Sequence, residues 1–124
     1  LLMDFNCVPV FHTQEMVKNY LMFHEKMLRP LFHNFKSLDV YYDNEEEAAM
    51  WTDYKDFNFA YLEPICTVYE SIKDMIWIHD TYLMLLPKFV RRMYINGRIG
   101  FSMHSPFPSS DIYKMFEQGN ACRA

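Results

Sequence analysis

The stretch from residue 75 to residue 110 constrains the fold most, because its pattern predicts a strand, a helix and a second strand. It opens with four consecutive apolar residues, 75–78, a run typical of a parallel strand covered on both faces. From Thr81 onward, apolar residues recur every three or four positions, which predicts a helix that ends at Asn96-Gly97. A second apolar stretch, 99–103, follows. This order predicts a parallel β-α-β unit within an α/β fold.

Two polar residues, Asp80 and His104, stand where these strands end. Ligands of open α/β sheets bind beyond the carboxyl ends of strands, and neighbouring strands lie only about 4.8 Å apart. We therefore expect both side chains to reach one small ligand. Each has an alternative role, since Asp80 also suits a helix N-cap and His104 equally suits proton transfer or a bond to a backbone carbonyl.

The loop that follows the second strand contains Pro106 and Pro108, whose fixed φ angles stiffen the mouth of the expected site. Ser109 or Ser110 is placed to cap a further helix with Asp111 in its first turn. The free N–H groups of that helix would face the same crevice.

Two other kinds of site share these residues. His79, Asp80 and His104 are metal-ligand types, but adjacent strand residues point to opposite faces, so His79 and Asp80 are not expected to converge. Ser109 and Ser110 would complete a hydrolytic triad, yet no G-x-S-x-G elbow accompanies them. We expect no metal. The other histidines lack ligand spacing and are interpreted as ordinary surface or partly buried imidazoles: His12, His24 and His33.

The residues before this unit predict one strand and several helices. Residues 7–11 suit a strand, in which Pro9 favours an edge position. Thr13 is placed to cap a helix, and a second helical piece is expected to end at Pro30.

The longest periodic stripe of the chain runs from residue 50 to residue 72. Asn44, followed by three glutamates, predicts the start of its helix. Pro64 lies inside the stripe, so we expect a kink near Tyr61 rather than a straight rod.

Composition excludes several classes of protein. A chain of 124 residues is one domain at most, and 51% hydrophobic residues exclude disorder. A formal charge of −4 without a basic cluster argues against nucleic acid or an anionic membrane as partner. No apolar run reaches the length of a membrane span. Scattered cysteines (Cys7, Cys66 and Cys122) favour a reducing, cytoplasmic setting over a disulfide framework.

The chain itself suggests an excerpt of a longer protein. It starts at Leu1 rather than at a methionine, and its first predicted strand begins a few residues later. Three evident strands are also fewer than the usual four to six or so, which would leave sheet edges to be covered by other chain segments.

Two segments resemble a known family. Residues 76–87 are Ile-Trp-Ile-His-Asp-Thr-Tyr-Leu-Met-Leu-Leu-Pro, and residues 98–113 are Arg-Ile-Gly-Phe-Ser-Met-His-Ser-Pro-Phe-Pro-Ser-Ser-Asp-Ile-Tyr. In this order and spacing they closely resemble the trehalose-6-phosphate synthases of glycosyltransferase family 20, retaining enzymes of the two-domain GT-B type. Residues 7–11, 28–34 and 51–54 match more loosely.

The resemblance implies that residues 1–124 are part of an N-terminal Rossmann-like domain with parallel strands and flanking helices, and that the C-terminal nucleotide-binding domain is absent. It implies trehalose biosynthesis by transfer of glucose from UDP-glucose to glucose 6-phosphate, without a cofactor or metal. In that family the residues matching Asp80 and His104 contact the sugars as the catalytic pair. The tryptophan matching Trp51 lines the acceptor site, and Asn34 stands where a tyrosine contacts the acceptor phosphate.

The chain departs from the family pattern near these positions. Arg29 replaces a tryptophan, and Thr81-Tyr82 replaces a Tyr-His pair beside Asp80. The leading hypothesis is therefore a glycosyltransferase fragment that carries half an active site and does not catalyse alone. The alternative is a degenerate, non-catalytic family member that acts as a regulatory or interaction subunit. For the complete protein, the resemblance also implies a homo-oligomer or a hetero-oligomer with other subunits of the trehalose pathway.

Overall fold

Helices and a two-stranded sheet follow one another in the computed structural model, which describes residues 6–33, 44–70 and 72–109. In chain order the elements are α1 (Gln14–Phe23), a π-helical turn (His24–Leu28), α2 (Arg29–His33), α3 (Asn44–Ala60), α4 (Leu62–Val68), β1 (Met75–His79), a 3₁₀ turn (Thr81–Leu83), α5 (Leu86–Met93) and β2 (Arg98–Ser102). Asn34, Ser110 and Asp111 lie outside the described residues. The binding role of Asn34 and the helix after Ser110 therefore remain predictions.

The strands β1 and β2 form the predicted parallel pair. Met75 lies opposite Arg98, and the register continues without a slip to His79 opposite Ser102. The predicted helix starts later than Thr81, because only a 3₁₀ turn follows β1 and α5 begins at Leu86. Pro87 lies in the first turn of α5, where its missing N–H is not needed. Because β1 and β2 are parallel and paired in register, both strands end at the same edge of the sheet.

The sheet is covered on one face only among the described residues. Ile78 is buried against Leu62 of α4 and against Leu86 and Val90 of α5. Met75 and Trp77 point the other way and are 59% and 53% exposed. The prediction of a strand covered on both faces is therefore wrong for this part of the chain. A continuous run of apolar residues does not reveal which face of a strand a helix will cover. Here α4 and α5 both lie on the face that carries Ile78.

The long periodic stripe forms two helices, and the predicted kink at Tyr61 is confirmed. The ring of Pro64 clashes with a helical carbonyl four residues earlier, which is that of Ala60, and α3 ends at this residue. The chain resumes as α4 at Leu62. The buried face of α3 packs on α1 and forms the main core, whose central members are Tyr20, Phe23, Leu28, Met50, Tyr54 and Phe57.

Residues 7–11 are not the strand that the sequence predicts. They have no ladder partner, because the strands in the described part of the chain, β1 and β2, pair with each other. Pro9 also lacks a donor for a ladder. Val8 and Val10 instead share an apolar cleft with Tyr61 and Pro64, at the break between α3 and α4.

Pro30 does not end the second helical piece, which continues as α2 to His33. The reason is the π-helical turn that precedes it, where the Arg29 N–H donates to the His24 carbonyl, five residues back. A wider turn relieves the contact between the proline ring and the carbonyl of the preceding turn, so the helix bulges instead of stopping.

The capping role predicted for Thr13 is confirmed, and it provides a stability test. The Thr13 hydroxyl accepts a hydrogen bond from the Met16 N–H at 3.2 Å. We expect Thr13→Ala to lower the free energy of unfolding by about 1 kcal/mol, measured by urea denaturation. The matched control is Thr52→Ala, since the Thr52 hydroxyl bonds to the Ala48 carbonyl inside α3 and alanine favours a helix interior. Equal losses in both variants would contradict the cap.

Candidate functional site

Asp80 occupies a strained position immediately after β1. Its N–H donates to the Ser102 carbonyl at 2.7 Å, which extends the pairing of the strands by one residue. Its φ of 64° and ψ of 175° fall in a region that is essentially reserved for glycine and costs other residues about 1–3 kcal/mol. Its carboxylate accepts a bond from the Thr81 N–H at 2.8 Å. Asp80 is therefore the N-cap of the 3₁₀ turn, as its alternative role predicted, and its strain points to a further role.

Asp80 and His104 line the same pocket, as the parallel strand pairing predicts. The pocket has a volume of about 280 Å³, near the lower limit of about 300 Å³ for small-molecule sites. Its opposite wall comes from the π-helical turn and α2. The lining residues are His24, Glu25, Arg29, Phe32, His33, Asp80, Thr81, Tyr82, His104 and Ser105.

The π-helical turn supplies the wall that sequence reasoning missed. His24 and Glu25 lie in this turn and Arg29 follows it directly. His24 and His33 were interpreted as ordinary imidazoles, yet both line the pocket. Pro30 was the available signal, because a proline inside a helical pattern conflicts with the carbonyl of the preceding turn, and a π-bulge that relieves this conflict is frequent at functional sites.

His24 is the most enclosed polar group of the pocket, at 4% exposure. Its Nε2 lies 2.9 Å from the Thr81 hydroxyl, and its Nδ1 lies 3.4 Å from a carboxylate oxygen of Glu25. Its ring stacks on Tyr82, with centroids 3.8 Å apart and an interplanar angle of 13°. Burial lowers the pKa of His24 from its ordinary value of 6.5, and the hydrogen bond that its ring donates to Glu25 opposes this only in part. The imidazole is therefore neutral at pH 7.

Glu25 and Arg29 form an ion pair at the pocket, with 2.6 Å between the guanidinium nitrogen and the carboxylate oxygen. This hydrogen bond from Arg29 holds the pKa of Glu25 below its ordinary value. The same bond raises the pKa of Arg29. The guanidinium is thus paired with a carboxylate on its own helical segment.

A buried network on α3 holds the 3₁₀ turn in place. The Tyr54 hydroxyl donates to the Thr81 carbonyl at 2.6 Å. The Asn58 amide donates to the carbonyls of Tyr54, at 2.9 Å, and Tyr82, at 3.3 Å. Its oxygen accepts from the Leu85 N–H at 3.2 Å. Asn58 is 0% exposed. A polar residue beside the apolar stripe of α3 was the sequence signal for this network, and sequence reasoning did not use it.

The remaining candidates lie elsewhere. Trp51 packs on Phe23 and Tyr54, with centroids 5.5 and 5.7 Å away, and is not among the residues that line the pocket. Its acceptor role stays a prediction.

His79 lies 2.7 Å from the Ser102 hydroxyl. Among residues 6–33, 44–70 and 72–109, no three His, Cys, Asp or Glu side chains are grouped to hold a metal. None of the described helices is long and apolar enough to cross a membrane.

Two larger clefts flank the N-terminal segment, with volumes of about 550 and 540 Å³. Their walls are mostly aliphatic and proline side chains from residues 7–11, α3 and α4. A ligand rich in hydroxyl groups would find few partners there to replace its hydrogen bonds to water. The smaller pocket at the strand ends, with carboxylates, imidazoles and hydroxyls, is therefore the better site for a polar ligand.

The buried His24 predicts that the chain becomes less stable in mild acid. Its folded pKa lies below 6.5, so its stabilising effect is complete above pH 6.5 and is lost as the pH falls from there through the folded pKa. We expect the free energy of unfolding to decrease between pH 7 and pH 5, and His24→Asn to reduce this decrease. Denaturant titrations at several pH values measure both. An unchanged slope in His24→Asn would contradict a buried, neutral His24.

Comparisons with known proteins agree on one family. A model described as glycosyltransferase family 20 matches residues 1–121. A probable α,α-trehalose-phosphate synthase (UDP-forming) of Arabidopsis thaliana is 40% identical over 115 residues, which are 92% of this chain and 13% of that protein. The chain thus spans about one eighth of the length of that curated relative. It spans a similarly small share of five further relatives of the same kind.

Two solved structures share the fold. The N-terminal domain of Candida albicans trehalose-6-phosphate phosphatase has a TM-score of 0.77 and 37% identity, over 94% of this chain and 24% of that one. The structure described as "OtsA apo structure" has a TM-score of 0.73 and 27% identity, over 87% of this chain and 23% of that one. The fold is therefore α/β with parallel strands, part of a Rossmann-like domain, as predicted.

Proposed function

The chain belongs to glycosyltransferase family 20, and from this premise we propose that it forms the sugar-binding part of a UDP-glucose-dependent synthase that makes trehalose 6-phosphate from glucose 6-phosphate. Relatives named as UDP-forming trehalose-phosphate synthases support this reading. The single observation that carries it is the joint placement of Asp80 and His104 in one polar pocket at the strand ends.

The chemistry assigned to this pocket is positioning. The Asp80 carboxylate accepts hydrogen bonds from sugar hydroxyls, and the His104 imidazole donates or accepts one more. Holding the anomeric carbon beside an acceptor hydroxyl replaces an improbable encounter with an oriented one, which lowers the barrier. Asp80 is held in place by the bond from its N–H to the Ser102 carbonyl and by the bond that its carboxylate accepts from Thr81. In this proposal the leaving diphosphate helps to remove the acceptor proton, so the chain needs no dedicated base.

The nucleotide-binding half of the site is assigned to sequence outside these 124 residues. The chain covers 13% of the Arabidopsis synthase-like relative. On this proposal the chain alone binds sugar without catalysing transfer.

The test is a comparison of UDP release. The 124-residue chain and the longer protein that contains it are each incubated with UDP-glucose and glucose 6-phosphate. We expect release by the longer protein only, and none from the chain above a protein-free control. Release by the chain alone would contradict the half-site, and sugar binding without release by the longer protein would exclude the synthase.

A second candidate is a non-catalytic subunit or domain that regulates or binds other proteins. Two observations favour it: the altered positions Arg29 and Thr81 are both engaged in bonds within the chain, and a similar fold serves as the N-terminal domain of a protein named a phosphatase. This candidate predicts sugar binding without turnover, and a stable partner recovered with the longer protein.

A further inference from the structure

Among the described residues that line the pocket, the charges are unbalanced towards the negative. Glu25 and Asp80 contribute two carboxylates and Arg29 one guanidinium, so the formal charge is −1 with histidines counted as neutral. The guanidinium is already paired with Glu25 at 2.6 Å. Within this part of the chain, the pocket therefore presents Asp80 as its uncompensated charge.

A phosphate group entering this pocket would meet two obstacles. It would face the Asp80 carboxylate, which repels it. It would also meet an Arg29 guanidinium whose charge is already neutralised by Glu25, and Glu25 is held from a second side by His24, whose Nδ1 lies 3.4 Å away. An uncharged ring meets neither obstacle, because hydroxyl groups donate to carboxylates and accept from hydroxyl and imidazole groups.

We propose that Glu25 is a specificity-determining residue of this pocket: by pairing with Arg29 it favours an uncharged, hydroxyl-bearing sugar ring over a sugar phosphate. The inference rests on the proposed function, because it takes the pocket as a sugar subsite.

Glu25→Gln is the variant that tests the role of Glu25. Glutamine keeps the size of the side chain and removes its charge, which releases the Arg29 guanidinium for bidentate binding of a phosphate. Isothermal titration calorimetry of the full chain with glucose, and separately with glucose 6-phosphate, gives both affinities. We expect the wild type to bind glucose at least about threefold more tightly, and Glu25→Gln to bind glucose 6-phosphate about fivefold more tightly than the wild type does.

Two controls separate a local effect from a change in net charge. Glu15→Gln changes the net charge equally, on an exposed residue of α1 outside the pocket, and is expected to leave both affinities within about twofold. Adding Arg29→Gln to Glu25→Gln is expected to remove the gain for glucose 6-phosphate. Thermal unfolding of each variant verifies that it is folded.

Each outcome decides the proposal. Preference of the wild type for glucose 6-phosphate, an unchanged preference in Glu25→Gln, or an equal gain in Glu15→Gln would overturn it while leaving sugar binding intact. Failure of the wild type to bind either sugar would overturn it together with the proposed function, so the two failures are distinguishable.

Discussion

Replacing Asn58 with leucine is expected to lower the free energy of unfolding by about 3 kcal/mol, although the substitution adds apolar volume to a buried site. The reason is that two backbone groups, the Tyr82 carbonyl and the Leu85 N–H, lose their partner, while the Tyr54 carbonyl lies inside α3 and keeps an intrahelical one. The carbonyls of Tyr54 and Tyr82 and the N–H of Leu85 bond to the Asn58 amide. The Tyr82 and Leu85 bonds join α3 to the segment between β1 and α5. Urea denaturation followed by circular dichroism measures the loss.

The matched control for this substitution is Asn19→Leu. The Asn19 amide makes one described bond, to the Asp53 carboxylate at 2.5 Å, in a partly buried position between α1 and α3. We expect a loss of no more than about 1 kcal/mol there, because water can replace the missing partner. A loss at Asn58 as small as the loss at Asn19 would contradict the claim that the network holds the 3₁₀ turn.

The largest functional effect is expected at Asp80. In the longer protein, Asp80→Asn should lower kcat/KM for glucosyl transfer by at least about 100-fold, which is the scale of removing one positioned electrostatic contact. Asparagine retains an oxygen that can accept from the Thr81 N–H, and it has nearly the same shape, so the fold is expected to persist. The rate of UDP release measures the effect.

Asp80→Gly separates binding from folding. Glycine relieves a φ of 64° but loses the bond to the Thr81 N–H, so the two effects on stability oppose each other and should leave it within about 1 kcal/mol. Transfer should still be lost. His79→Gln is the control, because His79 is exposed and is not among the residues that line the pocket. We expect this variant to change the rate less than about twofold. If Asp80→Asn transfers glucose at the wild-type rate, the assignment of Asp80 to the site is wrong.

The β-α-β unit was predictable because its signals are local. A buried strand, a helical period and a turn sequence each occupy a few adjacent residues, and the rule that joins them needs no distant contact. The same rule placed Asp80 and His104 at one edge of the sheet, and both line one pocket. The break at Tyr61 was predictable for a similar reason, since the effect of Pro64 acts on the turn immediately before it.

Other features depend on contacts that a single segment does not reveal. Pro30 was expected to end a helix, but the π-helical turn before it absorbs the steric conflict. Residues 7–11 have the composition of a strand but no described neighbour with which to pair. His24 is buried because Thr81, which is 57 residues away in sequence, and Tyr82 pack against it. One wall of the pocket was thus predictable, and the wall from the helical segment was not.

The most direct test of the central claim is a map of the glucose-binding surface, by the change in backbone amide NMR shifts of the chain on titration with glucose. We expect the largest changes around the π-helical turn, Asp80 to Tyr82 and His104, and we expect Asp80→Asn to abolish them. Changes centred instead on residues 7–11 and α4, where the larger apolar clefts lie, would contradict the assignment of the sugar to the strand ends.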